Sequence, residues 1–264
     1  MGNMDFSARR LIGAVHLRPL PGSPAWDEAG GMKEVLGAAL ADARAYEAGG
    51  ADAVVVENFG DLPFTKSAVP PETVAAMSAI GVRIREAIRI PVGFNVLRND
   101  AAAGLALCAA CEGAFIRVNV HTGAIVTDQG VIEGNAFHTL RSRCRLCPDV
   151  SIFADVHVKH AAPLGDIPIE IAARDTVERG GASALIVSGT GTGTEVAPDD
   201  LRRVRAACPD TPILIGSGVT AGNIGRLLES ADGAIVGSSL KQDGRIGNPV
   251  DETRVREMVE RMKG

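Results

Sequence analysis

Apolar residues fall in short runs along the chain, at positions 11–17, 52–58, 91–97, 113–119, 151–158, 184–190, 212–219 and 233–239. Each run is rich in β-branched residues and bounded by Gly, Pro or Asp, which predicts eight strands. Segments of helical period lie between them, at 32–50, 71–88, 199–210 and 220–230. The stretches EAGGAD, CEGAF, RGGASA and SADGAI precede strands, where a glycine can end a helix in the left-handed conformation. Eight strand–helix units predict an α/β protein, a single-domain (β/α)8 TIM barrel over 1–264. A doubly wound open sheet is the alternative; it would carry a Gly-rich fingerprint in its first turn, and none stands there. Two insertions, about 60–70 and 121–135, follow the second and fourth strands. The first is Pro-rich, and the second reads as a hairpin turning near Asp128, Gln129 and Gly130.

Within the fifth run, Ile152, Ala154, Val156 and Val158 alternate with Phe153, Asp155, His157 and Lys159. Strand side chains alternate faces, so the apolar set packs on the helices and the polar set points into the barrel. The same parity turns Glu57 inward on the second strand, and Arg117, Asn119 and His121 on the fourth. His16, Asn95 and Ser188 join them from the first, third and sixth. Each alone reads equally well as a satisfied core residue or a structural ion pair. Together, at the C-terminal mouth where this fold concentrates function, they predict an active site.

Glu57 and Asp155 are candidate general bases, with His16 or His157 able to carry a proton near neutral pH. Arg117 and Asn119 complete the catalytic set, and Asn95, His121 and Ser188 are candidate substrate contacts. Lys159 fits an electrostatic role better than a Schiff base, because it stands at the strand's very end. No cofactor is required by the pattern, but His16, Glu57, Asp155 and His157 are also a plausible ligand set for a divalent metal. In the last quarter, Gly216, Ser217, Gly218, Gly237 and Ser238 end strands seven and eight, where this fold binds phosphate, with Lys241 just behind. Gly189, Gly191 and Gly193 form a further loop able to close over a ligand. The glycines read alternatively as mere tight turns.

Composition narrows the partners. Aromatic residues make up 3% of the chain, so the core must be aliphatic. A net charge of −5 and the lack of basic runs exclude a nucleic-acid footprint. No signal peptide or membrane-length apolar run is present, and Phe6 stands where a myristoylation signal wants Ser or Thr, so a cytoplasmic protein is expected. A homo-oligomer is expected as well. Of five cysteines, Cys108 and Cys111 form one C-x-x-C and Cys144 and Cys147 another. A zinc staple is conceivable, but cysteine as a small apolar residue on a helix is the simpler reading.

The motifs GAVHLRPLPGSP, VVVENFGDLPF, VGFNVLRNDA, FIRVNVHTG with TDQG, ADVHVKHAAPL, ALIVSGTGTG, GSGV and VGSSLKQDG resemble, in order, those of the BtpA/SgcQ family. The resemblance covers nearly the whole chain and includes Arg98, Asp100 and His160. It implies a ribulose-phosphate-binding type of barrel. One cyanobacterial member is linked to photosystem I accumulation, and others occur in sugar-metabolism contexts. Two functions follow as expectations, beside a catalytically dead sensor that retains ligand binding. One is an enzyme isomerising or cleaving a C–C or C–N bond in a small phosphorylated molecule, a sugar phosphate or nucleotide-derived ester. The other is a peripheral assembly or stability factor for a membrane complex.

Overall fold

The computed structural model describes residues 4–157, 161–189, 191 and 194–263. Eight parallel strands close into one barrel: β1 (Arg10–His16), β2 (Ala53–Glu57), β3 (Val92–Asn95), β4 (Phe115–Val118), β7 (Ser151–Val156), β9 (Ala184–Val187), β10 (Ile213–Ile215) and β11 (Gly233–Val236). Closure comes from β1, which pairs in parallel with both β2 and β11. The helices α1 (Gly31–Gly49), α2 (Pro71–Ala87), α3 (Ala101–Cys111), α4 (Ala136–Leu146), α5 (Ile169–Arg174), α6 (Pro198–Ala207), α7 (Ile224–Leu227) and α8 (Glu252–Lys263) occupy the connections and the C-terminus. No helix among the described residues is long and apolar enough to cross a membrane.

Strand parity divides the core in two. Leu11, Val15, Val54, Val56, Ile116 and Val118 face the helices in one continuous cluster. Ile12, Ala14, Val55, Phe115, Phe153, Ile186, Leu214 and Ile235 fill the barrel interior. Phe115 and Phe153 stack there with ring centroids 4.6 Å apart, a flat plug that supports the polar residues one layer higher.

The insertion after β4 is a hairpin, β5 (Ala124–Thr127) and β6 (Gly130–Glu133), with Thr127 opposite Gly130. A third strand, β8 (Ala161–Pro163), pairs antiparallel with β5 and ties this hairpin to the segment after β7. The sequence pattern carries no sign of β8, which is three residues long. Helix endings also differ from expectation. Gly50 is left-handed after α1, but after α3 the left-handed residue is Glu112, at φ 53°, rather than Gly113. Gly113 serves close packing instead: a Cβ there would lie 2.7 Å from the Cys108 sulfur.

The four cysteines of the C-x-x-C pairs are free thiols. Cys108 and Cys111 are buried on α3, where Cys108 donates to the Phe115 carbonyl and Cys111 to that of Ser78. Cys147 donates to Leu105 O, and Cys144 is exposed. Burial pushes the Cys108 thiol well above its ordinary range. These contacts fit the small-apolar reading and not a shared zinc.

Candidate active site

Three barrel strands aim ionisable groups at one point above the aromatic plug. Glu57 ends β2, Arg117 lies on β4 and Asp155 on β7. Arg117 grips Asp155 bidentately, Nε to Oδ2 and Nη2 to Oδ1, both at 2.9 Å, and its Nη1 donates to Glu57 Oε1 at 3.2 Å. Desolvation alone would push the guanidinium's pKa down. The charges of Asp155 and Glu57 and their hydrogen bonds outweigh it, so Arg117 is held above its ordinary value and stays cationic.

The two carboxylates differ in what they have left to offer. Asp155 Oδ1 accepts also from Ser188 Oγ at 3.3 Å, and Oδ2 from Asn119 Nδ2 at 3.3 Å. Four hydrogen bonds saturate a carboxylate, so Asp155 orients Arg117 and has no capacity for a proton acceptor's role. Glu57 keeps Oε2, which lies 3.7 Å from His16 Nε2. His16 packs on Phe59 with centroids 4.7 Å apart, and Gly237 lets it do so: a Cβ there would lie 2.4 Å from His16 Cε1.

Two cavities open at this mouth and share Glu57, Phe59 and Arg117. The first, about 540 Å³, is lined by His16 and by the loops after β10 and β11, including Gly216, Ser217, Gly218, Gly237 and Ser238. Arg254 reaches its rim from α8. The second, about 520 Å³, is lined by Asn95, Arg98, Asn119, Leu97, residues of the Pro-rich loop, and Asp128 and Gln129 of the hairpin turn. Burial lowers the Arg98 guanidinium, and the like charge of Arg117 adds to this; Asp155, Asp128 and Glu57 oppose it.

Several sequence-predicted residues stand elsewhere. His157 follows the last residue of β7 at φ 50°, which breaks the alternation. Among the described residues its charged neighbours are Asp200 and Arg203 on α6 and Glu170 on α5, outside the barrel, and burial lowers its pKa. His121 lies beyond the end of β4, buried, with Nε2 donating to Gly180 O at 2.7 Å rather than facing a cavity. Lys241 is buried against α1, its ammonium 2.7 Å from Asp42 Oδ2, so it is not behind the phosphate loops as a cation for them. Gly189 is one layer back: its N–H donates to Ser217 Oγ at 2.8 Å, which in turn donates to Thr194 O at 3.1 Å. Lys159, His160 and Gly193 lie outside the described residues.

The metal set does not assemble. Among the described residues no three His, Cys, Asp or Glu side chains converge on a metal position. The Arg117 cation stands between the two carboxylates, and His157 faces away. Phe59, Gln129 and Arg254 escaped the sequence reading. Gln129 carried a turn signal without a chemical one, and Arg254 sits on a helix whose pattern says only that one face is exposed.

A closed parallel barrel with a buried carboxylate–guanidinium–carboxylate network under two joined cavities defines a (β/α)8 protein built around its C-terminal mouth. The BtpA family model matches residues 7–264, and the chain belongs to that family. It is 49% identical over 253 residues to the photosystem I biogenesis protein BtpA of Synechocystis sp., covering 96% of this chain and 87% of that protein. It is 37% identical over 255 residues to the putative sgc region protein SgcQ of Escherichia coli, covering 96% and 94%. Among solved structures, phosphoribosyl anthranilate isomerase from Thermus thermophilus superposes with a TM-score of 0.56 at 14% identity, covering 96% and 98% of the two chains.

Proposed function

We propose that this protein is an enzyme that acts on a small phosphorylated molecule by proton transfer, isomerising it or cleaving a C–C or C–N bond. The observation that carries this reading is the unequal treatment of two buried carboxylates by one arginine. Asp155 is saturated and acts as a positioning residue, whereas Glu57 has one oxygen that Arg117 does not hold, 3.7 Å from His16 Nε2, and lines both cavities. The substrate's phosphate rests on the backbone N–H groups after β10 and β11, with Arg254 at the rim. Anchoring there holds the reacting carbon over Glu57, the general base, and converts remote binding into orientation. Arg117 has five N–H donors, and its bonds to the carboxylates use three. The remainder stabilise negative charge as it develops on a substrate oxygen. His16, beside Glu57, relays the proton. A solved barrel of similar fold, named for its phosphoribosyl substrate, supports the phosphate assignment by analogy of fold.

The test is calorimetric titration with inorganic phosphate and ribose 5-phosphate. The Ser238→Glu variant places a carboxylate in the phosphate lobe, at a half-buried position, and is expected to abolish binding while the fold survives with a melting temperature lowered by no more than about 4 °C. Undiminished binding by that variant removes the anchor. A second reading, a peripheral assembly factor, is favoured by the name of the cyanobacterial relative. Glu57→Gln separates the two: a scaffold keeps its biological role when a folded variant loses this carboxylate, and an enzyme does not.

A further inference from the structure

The second cavity has a feature that the phosphate reading does not use. Asn95, 1% exposed at the end of β3, donates through Nδ2 to Arg117 O and to Asn119 Oδ1, both at 3.1 Å. Both partners are oxygens, so the amide's orientation is set by its network. Its Oδ1 is buried and has no hydrogen-bond partner among the described residues. Gln129, on the hairpin turn, repeats the pattern: Nε2 donates to the Asp128 carboxylate, and Oε1 is buried without a partner among the described residues. Folded proteins seldom leave buried carbonyl oxygens unpaired, and here the two residues that carry them line one cavity. A cavity with two such acceptors calls for a ligand that brings donors.

The rest of the lining limits what kind of donor fits. Phe59, Leu62, Phe64 and Leu97 form an apolar wall, with the Phe59 and Phe64 rings edge to face at 6.4 Å. A flat ring lies against such a wall by its face while its N–H edge reaches the acceptors, whereas a sugar's hydroxyls point out all round the ring and those turned to the wall would lose water without a partner. Arg98, in the same lining, suits a ring carbonyl.

We propose that this second lobe recognises a planar nitrogen heterocycle bearing N–H donors, carried on the same molecule as the phosphate. The substrate is then of nucleotide type and not a simple sugar phosphate. The inference rests on the proposed phosphate site for the other end of that molecule. The lobes share Glu57, Phe59 and Arg117, so the bond or carbon between heterocycle and phosphate lies over the network.

The experiment titrates the full chain with ribose 5-phosphate, cytidine 5′-monophosphate and adenosine 5′-monophosphate, and with cytidine and adenosine alone. At least one nucleotide is expected to bind about 10-fold or more tightly than ribose 5-phosphate, as pairing a buried acceptor implies. Gln129→Leu and Phe64→Ala, checked for an unchanged melting temperature, are each expected to erase most of that advantage and leave ribose 5-phosphate binding as it was. If ribose 5-phosphate binds and neither nucleotide binds better, the heterocycle assignment falls and the phosphate site stands. If ribose 5-phosphate does not bind but a nucleoside does, with sensitivity to Gln129→Leu, the phosphate site falls and the lobe's recognition of the heterocycle stands. Binding of none of the five overturns both.

Discussion

Replacing Asp155 by Leu removes the partner that holds Arg117. The guanidinium is 3% exposed and donates two 2.9 Å bonds to that carboxylate, while Glu57 remains at 3.2 Å. Stripping one partner from a buried ion pair costs about 3–5 kcal/mol, and the surviving Glu57 contact places this case at the lower end, about 3 kcal/mol. For a chain of this size each kcal/mol shifts the melting temperature by about 2–4 °C, so a fall of about 6–12 °C is expected. The loss should persist in about 1 M salt, because a buried pair is poorly screened. Arg117→Met alone should also destabilise, since it leaves two carboxylates facing each other. The double variant should cost about 2 kcal/mol less than the sum, the signature of direct coupling. Urea unfolding of the four proteins measures the cycle. Additivity within about 0.5 kcal/mol would refute the network as an energetic unit.

Lys241→Met should cost about 3 kcal/mol through its pairing with Asp42 and leave phosphate affinity unchanged; weakened phosphate binding at full stability would return Lys241 to the site. Gly237→Ala forces a methyl against the His16 ring and should destabilise by about 1–3 kcal/mol, with wild-type unfolding as the contrary result. Under native conditions a thiol reagent should label Cys144 first, with Cys108 protected until unfolding; rapid labelling of both contradicts the burial described. Burial lowers the His121 imidazole below its ordinary 6.5, so as pH falls through 6.5 the unfolded chain takes up the proton first. Its contribution is therefore complete above pH 6.5, shrinks as pH falls and levels off below the folded pKa. Urea unfolding from about pH 8 to 5 should show a shallower slope for His121→Gln than for wild type.

Strand parity made the barrel and much of its mouth legible. It works wherever the ladder enforces alternation, and Glu57, Arg117 and Asp155 all lie on strands paired to their neighbours. It fails one or two residues later. His157 and His121 lie past the ends of β7 and β4, where no register dictates facing, and each turns to a neighbour outside the barrel. The metal set failed for a different reason: composition places carboxylates and imidazoles together but says nothing of an arginine between them. The second lobe was hidden because its walls come from one loop and a turn, Leu62 and Phe64 on the first and Gln129 on the second, whose meeting depends on the whole barrel.

Pairing of β1 with β11 brings the first and last segments of the barrel side by side, with Ile12 next to Ile235. His16 belongs to one edge of that seam and Gly237 to the other, and both line the first cavity. An occupant of that cavity would thus act as a clasp across the seam, stitching together the segments most distant along the polypeptide. Resistance of the chain's two extremities to proteolysis would then report occupancy, even though the reacting groups lie on strands in between.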